Sequence, residues 1–334
     1  MSLKLTRRRF VQDSSTLALV VLLSKMSWAQ TLNPYIATFT KEATGEEVTQ
    51  GIDLSGKTIV ITGANSGLGY ETMRVLAMRG AHVIGVARNM QKATKACASI
   101  KGKTTPFACE LTDFSSIVAC TEAIKKLNKP IDVLINNAGV MELPELEQVY
   151  GIEKQFVVNY LGPFILTHRL LDQVKAADQG RIVFLSSGRY KSAPSEGIQF
   201  DNLSGEKGYD PLTAYGQSKL ADALFSQELS RRLEGTTVTS NAVLPGIIMT
   251  NLGRHMPDWK IKLSKVIGWT FMRSVEQGVA TSCYVAVNPK LEKVSGHLFK
   301  NCNPITPEGT HMTDRALAKK LWEVSVELTK DYLS

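Results

Sequence analysis

The chain has 334 residues, 43% hydrophobic and 21% charged, an ordinary globular composition with enough apolar mass for one large core. Its net charge of +8 would suit nucleic acid or an anionic membrane, but part of it sits at Lys4, Arg7, Arg8 and Arg9, and no basic repeat or aromatic platform supports a nucleic-acid partner. Scattered histidines and five cysteines without a C-x-x-C pair argue against a metal site and against a disulfide framework, and for a domain that folds with its thiols reduced.

In chain order, residues 1–29 read as a leader and stand outside the fold. Thr6-Arg7-Arg8-Arg9-Phe10-Val11 resembles the twin-arginine export motif, Leu17 to Leu23 is a short apolar core, and Ser27-Trp28-Ala29 places small residues where a signal peptidase reads. The core falls short of the roughly 20 apolar residues of a transmembrane helix. Export to a periplasm or membrane surface is the expectation; an uncleaved membrane anchor and an organellar transit peptide are the rival readings. Twin-arginine export carries proteins already folded, which suits a chain with reduced thiols. Residues 30–53 follow as a linker or arm with a polar turn at Gly45-Glu46-Glu47, and residues 54–334 as one domain.

Within that domain, apolar runs near 57–62, 81–87, 103–108, 131–136, 181–186, 237–244 and 295–299 alternate with helical stretches. Alternation of this kind predicts the α/β class: a doubly wound parallel sheet, single-domain and Rossmann-type, with helices on both faces.

The first run leads into Thr62-Gly63-Ala64-Asn65-Ser66-Gly67-Leu68-Gly69, and helical periodicity begins near Gly69-Tyr70-Glu71. Glycines at 63, 67 and 69 let the backbone turn sharply and approach a phosphate at the positive end of a helix. By itself such a loop is equally an ordinary tight turn, and its spacing, G-x-x-x-G-x-G, differs from the commoner G-x-G-x-x-G. The second run ends in Arg88, with Lys92 a helical turn further on and no acid between Ala81 and Gln91. An acid there would accept from ribose hydroxyls and favour NAD; a cation favours NADP. Glu110-Leu111 follows the third run, Asn136-Asn137-Ala138-Gly139 the fourth and Ser186-Ser187 the fifth. Tyr215-Gly216-Gln217-Ser218-Lys219 lies on a helix, and Pro245-Gly246 ends the sixth run, with Thr250 four residues beyond.

Taken together, the glycine turn after Thr62, the N-N-A-G run, Asn159, Ser187, the Y-x-x-x-K pair and P-G-x-x-x-T resemble the short-chain dehydrogenase/reductase family over nearly the whole chain after about residue 50. QGIDLSGKTIVITGANSGLG, SKLADALFSQELSRRL and TVTSNAVLPG are most similar to its WW-domain oxidoreductase and retinol-dehydrogenase branch, although no WW module precedes the domain. The resemblance implies catalytic roles for Asn159, Ser187, Tyr215 and Lys219. It implies cofactor contacts from Gly63, Asn65, Ser66, Gly67, Leu68, Gly69, Arg88, Glu110, Leu111, Asn137, Ala138, Gly139, Tyr215, Lys219, Pro245, Gly246 and Thr250. Asn159 would hold a water linking Lys219 to solvent, and Lys219 would grip the nicotinamide ribose.

The chemistry needs these residue types. Reducing a carbonyl requires a proton on oxygen, and a phenol of ordinary pKa near 10 shuttles it poorly near neutrality. Tyr215 and Lys219, four apart on one helix face, place an ammonium where it favours the tyrosinate, and Ser187 would hydrogen-bond the substrate oxygen. Taken singly, a Tyr–Lys pair four apart is an ordinary surface pair and a serine after a strand is turn chemistry.

The expected function is NADP(H)-dependent interconversion of an alcohol and a carbonyl on an apolar substrate. A reductase of carbon–carbon double bonds, of the protochlorophyllide-reductase type, and a non-catalytic NADP-binding regulatory protein are the alternatives. Between His255 and Arg273, cations alternate with Trp259, Ile261, Leu263, Val266, Ile267, Trp269 and Phe271. This segment reads as an apolar lid over the substrate, or as a contact with a membrane surface or with another subunit of a homo-oligomer.

Overall fold

The computed structural model describes residues 37–248, 272–309 and 311–334. Seven parallel strands alternate with helices in order: β1 (Thr58–Thr62), α1 (Gly67–Met78), β2 (His82–Ala87), α2 (Met90–Ala98), β3 (Thr104–Ala108), α3 (Phe114–Lys125) and β4 (Val133–Asn136). There follow a small hairpin, β5 (Gln148–Val149) and β6 (Ile152–Glu153), then α4 (Gly162–Lys175), β7 (Arg181–Leu185), α5 (Pro211–Arg232), β8 (Thr239–Leu244), α6 (Ala280–Val287), β9 (Leu298–Lys300), β10 (Asn303–Ile305) and α7 (Arg315–Thr329).

The main sheet runs β10-β9-β8-β7-β4-β1-β2-β3. The chain starts at β1, steps outward to β3, then returns to β4 on the other side of β1, with Ile59 paired to Val83 on one flank and Val133 on the other. Reversal of direction there opens a crevice at the carboxyl ends of β1 and β4, where open α/β sheets collect ligands. Strands β1, β4, β7 and β8 are buried along their whole length, the mark of a sheet covered on both faces.

Alternation assigns the faces. Val60, Leu134, Ile182 and Phe184 share a core with Ile117, Phe164, Leu170, Leu224 and Phe225 from α3, α4 and α5. On the opposite face a side chain at Gly85 would meet Met73 of α1 and Cys97 of α2. Helix α7 covers α5 from outside, with Trp322 against Phe164 and Phe225 and Ser325 bonded to Tyr160 at 2.6 Å.

Two features depart from the expected parallel sheet. The edge strand β10 is antiparallel to β9, and the run expected at 295–299 begins pairing only at Leu298. Gly296 has φ +79° and donates its N–H to the Ser240 carbonyl at 2.8 Å, so residues 295–296 form a turn against β8 before the strand begins. Residues 37–53 run along the body: Ala37 donates to Asn303 at 2.7 Å, and the turn Gly45–Val48, closed by a Thr44/Glu47 capping box, rests on Val75 and Val279. The five cysteines are buried and free.

Candidate active site

The crevice holds a cleft of about 1710 Å³, larger than the roughly 300–1,000 Å³ of a single drug-sized site and suited to a dinucleotide with a substrate beside it. Its floor is built from the Thr62 side chain, whose hydroxyl accepts the backbone N–H groups of Asn137 and Ala138, both at 3.0 Å, while the Asn137 amide donates to the Thr62 carbonyl at 2.7 Å. These bonds lock the turn after β1 to the turn after β4. Gly63 and Gly67 adopt φ +70° and +56°, open to glycine at little cost. At Gly69 a methyl group would lie 2.3 Å from the Gly63 carbonyl oxygen and 2.4 Å from the Asn137 amide, so only glycine lets α1 begin this close to the strand ends.

The loop therefore forms a backbone cradle at the start of a twelve-residue helix, and Asn65, Ser66 and Leu68 line it. Such a cradle fits a pyrophosphate: free N–H groups and the positive helix end face the anion. Arg88 and Lys92 line the cleft beyond β2, and Asn89 caps α2 by accepting the Lys92 N–H, so the segment that begins as a capped helix also presents a cation to the cleft. Glu110 and Leu111 line the far wall, and the Glu110 carboxylate accepts the Thr112 N–H at 3.1 Å. Gly139 closes the wall between them and the reaction centre, where an added methyl would lie 3.0 Å from Asn159 and 3.8 Å from Lys219.

At the other end of the cleft, Pro245 and Gly246 follow β8, Gly246 at φ +96°. Thr250 lies outside the described residues, as does the expected lid apart from Met272 and Arg273. Those two reveal what the sequence pattern concealed. Arg273 donates its N–H to the Ile247 carbonyl at 2.9 Å, forming a parallel bridge with Ile248, and its guanidinium folds over Gly246 and donates to Asn301. A residue read as a lid cation thus lines the cofactor cleft. Lys41 and Glu42 from the N-terminal arm and Gln277 line it too; their only sequence signal is charge or polarity beside an apolar stretch.

The residues expected to react converge on one end. Tyr215 and Lys219 are 3% and 5% exposed, which rules out the ordinary surface pair. Ser187 follows β7 and accepts the Arg189 N–H as the cap of the turn Gly188–Ser192. Asn159 sits where the helix ahead of α4 widens to π geometry over Val157–Leu161, a local irregularity common at functional sites. Its amide accepts the Val140 N–H at 2.8 Å and donates to the Val140 carbonyl and to Ser218, each at 2.9 Å, binding the turn after β4 to α5.

Lys219 pulls the Tyr215 phenol toward ionisation, as its place four residues on suggests, but burial outweighs that pull. The Lys219 ammonium donates to the Leu185 carbonyl and the Asp222 carboxylate, both at 2.8 Å, with the Tyr215 ring centre 6.0 Å away. Burial pushes the Tyr215 phenol above its ordinary value, and the opposing pull of Lys219 and the Ser187 hydroxyl does not reverse it, since Asp222 and Glu142 push the same way as burial. Lys219 is itself held above its ordinary value because the Asp222 and Tyr215 charges outweigh its burial.

A doubly wound sheet with a glycine cradle and a buried tyrosine–lysine pair at its switch point defines a nucleotide-dependent oxidoreductase of the α/β class. The chain belongs to the short-chain dehydrogenase family, whose profile, described as short chain dehydrogenase, matches residues 57–261. It is 43% identical over 299 residues to the Brassica napus protein named short-chain dehydrogenase TIC 32 B, chloroplastic, covering 86% of this chain and 92% of the relative. Human retinol dehydrogenase 14 is 38% identical over 294 residues, 81% of this chain and 86% of the relative, which bears out the resemblance to the retinol-dehydrogenase branch. A solved structure of a Mycobacterium paratuberculosis protein superposes with a TM-score of 0.68 at 31% identity, covering 85% of this chain and 97% of that one.

Proposed function

We propose that the protein is an NADP(H)-dependent oxidoreductase that interconverts an alcohol and a carbonyl, with Tyr215 as the general acid/base. The observation that carries this reading is the convergence of Tyr215, Ser187 and Lys219 at one end of a cleft, with Asn159 bonded behind them to Ser218, while the other end presents Arg88 and Lys92. Gly63, Gly67 and Gly69 would hold the pyrophosphate, Arg88 the 2′-phosphate and Lys219 the ribose. Bound there, the nicotinamide supplies or accepts the hydride.

The protein's own part is proton transfer and positioning. Ser187 holds the substrate oxygen, and Tyr215, kept protonated by burial, donates its hydroxyl proton to that oxygen during reduction and recovers one afterwards. The mutual bonds of Asn159, Val140 and Ser218 keep the wall behind Tyr215 rigid. Apolar residues Met141, Leu143, Val158 and Ile305 line the substrate end, which supports an apolar substrate, as does a relative named for retinol. The test is a screen for NADPH oxidation across aldehydes, ketones, retinoids and steroids with Tyr215→Phe as control. Turnover abolished by the variant supports the reading, and turnover retained by it refutes the mechanism.

The leader lies outside the described residues, and no helix among those described is long and apolar enough to cross a membrane. Its Arg7-Arg8 pair supports twin-arginine export of the folded protein. A relative named as chloroplastic supports the organellar reading instead.

A further inference from the structure

Asp222 lies three residues beyond Lys219 on α5, on the same helix face, and is 2% exposed. Its carboxylate receives the Lys219 ammonium at 2.8 Å and has no other hydrogen-bonding partner among the described residues. Both halves of this pair are nearly buried, and Lys219 meets solvent only through the cleft. An ammonium buried to this degree without a counter-ion loses its proton readily, its pKa falling by as much as roughly 3–5 units. A neutral amine at position 219 would neither favour the tyrosinate nor bind a ribose hydroxyl as strongly as an ammonium does.

We propose that Asp222 is the positioning residue of this site: its buried carboxylate is the counter-ion that keeps Lys219 protonated and aims the ammonium so that one donor is left for the cleft. An ammonium has three donors. Two are taken by Asp222 and the Leu185 carbonyl, and Lys219 lines the cleft, where the third remains. Asp222 acts through Lys219 and touches neither substrate nor cofactor; the inference rests on the oxidoreductase reading above for its functional meaning.

Other charged and titratable groups meet at this point. Tyr215 and Lys219 face Asp222 along α5, Tyr160 approaches from the π turn ahead of α4, and Glu142 and Ser187 act on Tyr215 from the turns after β4 and β7. Of these, only Lys219 bonds to the carboxylate. Burial pushes the Asp222 carboxyl up to about 6 even with the ammonium beside it. Above that pH the pair is ionised and Tyr215 senses a dipole; below it, Lys219 presents an uncompensated cation to the site.

The test is nuclear magnetic resonance of protein labelled with ¹³C at the lysine Cε, with the Lys219 signal assigned by its loss in Lys219→Met. In Asp222→Asn, which preserves shape and a hydrogen-bond acceptor, the Lys219 titration midpoint should fall by about one pH unit or more relative to wild type, a tenfold or larger rise in its acid constant. An unchanged midpoint overturns the proposal. Wild-type protein provides a check independent of any variant's folding: despite its burial, the Lys219 signal should titrate at or above the midpoint of the exposed lysines, and a midpoint depressed below theirs also overturns the proposal. Neither measurement needs turnover, so a missing shift counts against Asp222, whereas inactivity on every carbonyl counts against the oxidoreductase reading.

Discussion

A methyl group on Gly69 would come within 2.3 Å of the carbonyl oxygen of Gly63, six residues earlier in the chain. This contact sets how closely α1 approaches the end of β1, and hence the width of the phosphate cradle. Gly69→Ala must push the loop or the Asn137 side chain aside, at a cost of about 1–3 kcal/mol for overpacking. NADPH affinity should fall about tenfold or more by isothermal titration calorimetry, with a lowered unfolding midpoint; wild-type affinity in the variant would show that the cradle is not the phosphate site.

Arg88 carries the expected cofactor preference. A charge-assisted contact with the 2′-phosphate is worth about 1.5–3 kcal/mol, hence about 10- to 100-fold in favour of NADPH over NADH. Arg88→Ala should remove most of that preference while leaving NADH binding intact. Equal affinities in the wild type would refute the assignment to NADP.

For Tyr215→Phe, turnover should drop by about 10²- to 10⁴-fold with cofactor affinity nearly unchanged, because only the acid/base hydroxyl is lost. Lys219→Ala should impair both quantities. Steady-state kinetics alongside a binding titration separates the two patterns.

The pH dependence follows from the direction of the Tyr215 shift. Reduction needs the protonated phenol, and a raised pKa keeps it protonated through neutrality, so the carbonyl-reducing rate should stay level from pH 6 to 8 and fall only on the alkaline side. Oxidation needs the tyrosinate and should climb with pH over the same range. A reduction rate already falling below pH 8 would contradict a phenol held above its ordinary value.

If the leader is a twin-arginine signal, replacing Arg7 and Arg8 by lysine should abolish export in a bacterial host, because the receptor reads the guanidinium pair rather than charge alone. N-terminal sequencing of the exported product should begin at Gln30. A protein that keeps its first 29 residues in the cytosol would refute the assignment.

Much of this molecule was legible in its sequence because the signals are local. Strand runs followed by turns located β1, β2, β3, β4, β7 and β8 to within two residues; β1, β2, β4 and β7 read as largely apolar because the sheet is covered on both faces, whereas half-buried β3 and buried β8 carry threonine, serine or asparagine. The short hairpin β5–β6 and the edge strand β10 escaped notice, being only two or three residues long with no periodicity to read. Arg273 was visible only as one cation among several, because its place over Gly246 depends on a bridge to Ile248 twenty-five residues earlier.

The sequence by itself determined the class of sheet, the position of its glycine turn and the identity of the residues that meet at the reacting end, because each is a matter of residue type and short spacing. Only the tertiary structure decided what those residues experience. Tyr215, Lys219 and Asp222 lie within reach of one another on any helix, but their burial and the bond from Lys219 to the Leu185 carbonyl depend on how α5 packs against the sheet. Burial is the largest influence on the Tyr215 and Lys219 pKa values, and it is not a property of spacing along the chain.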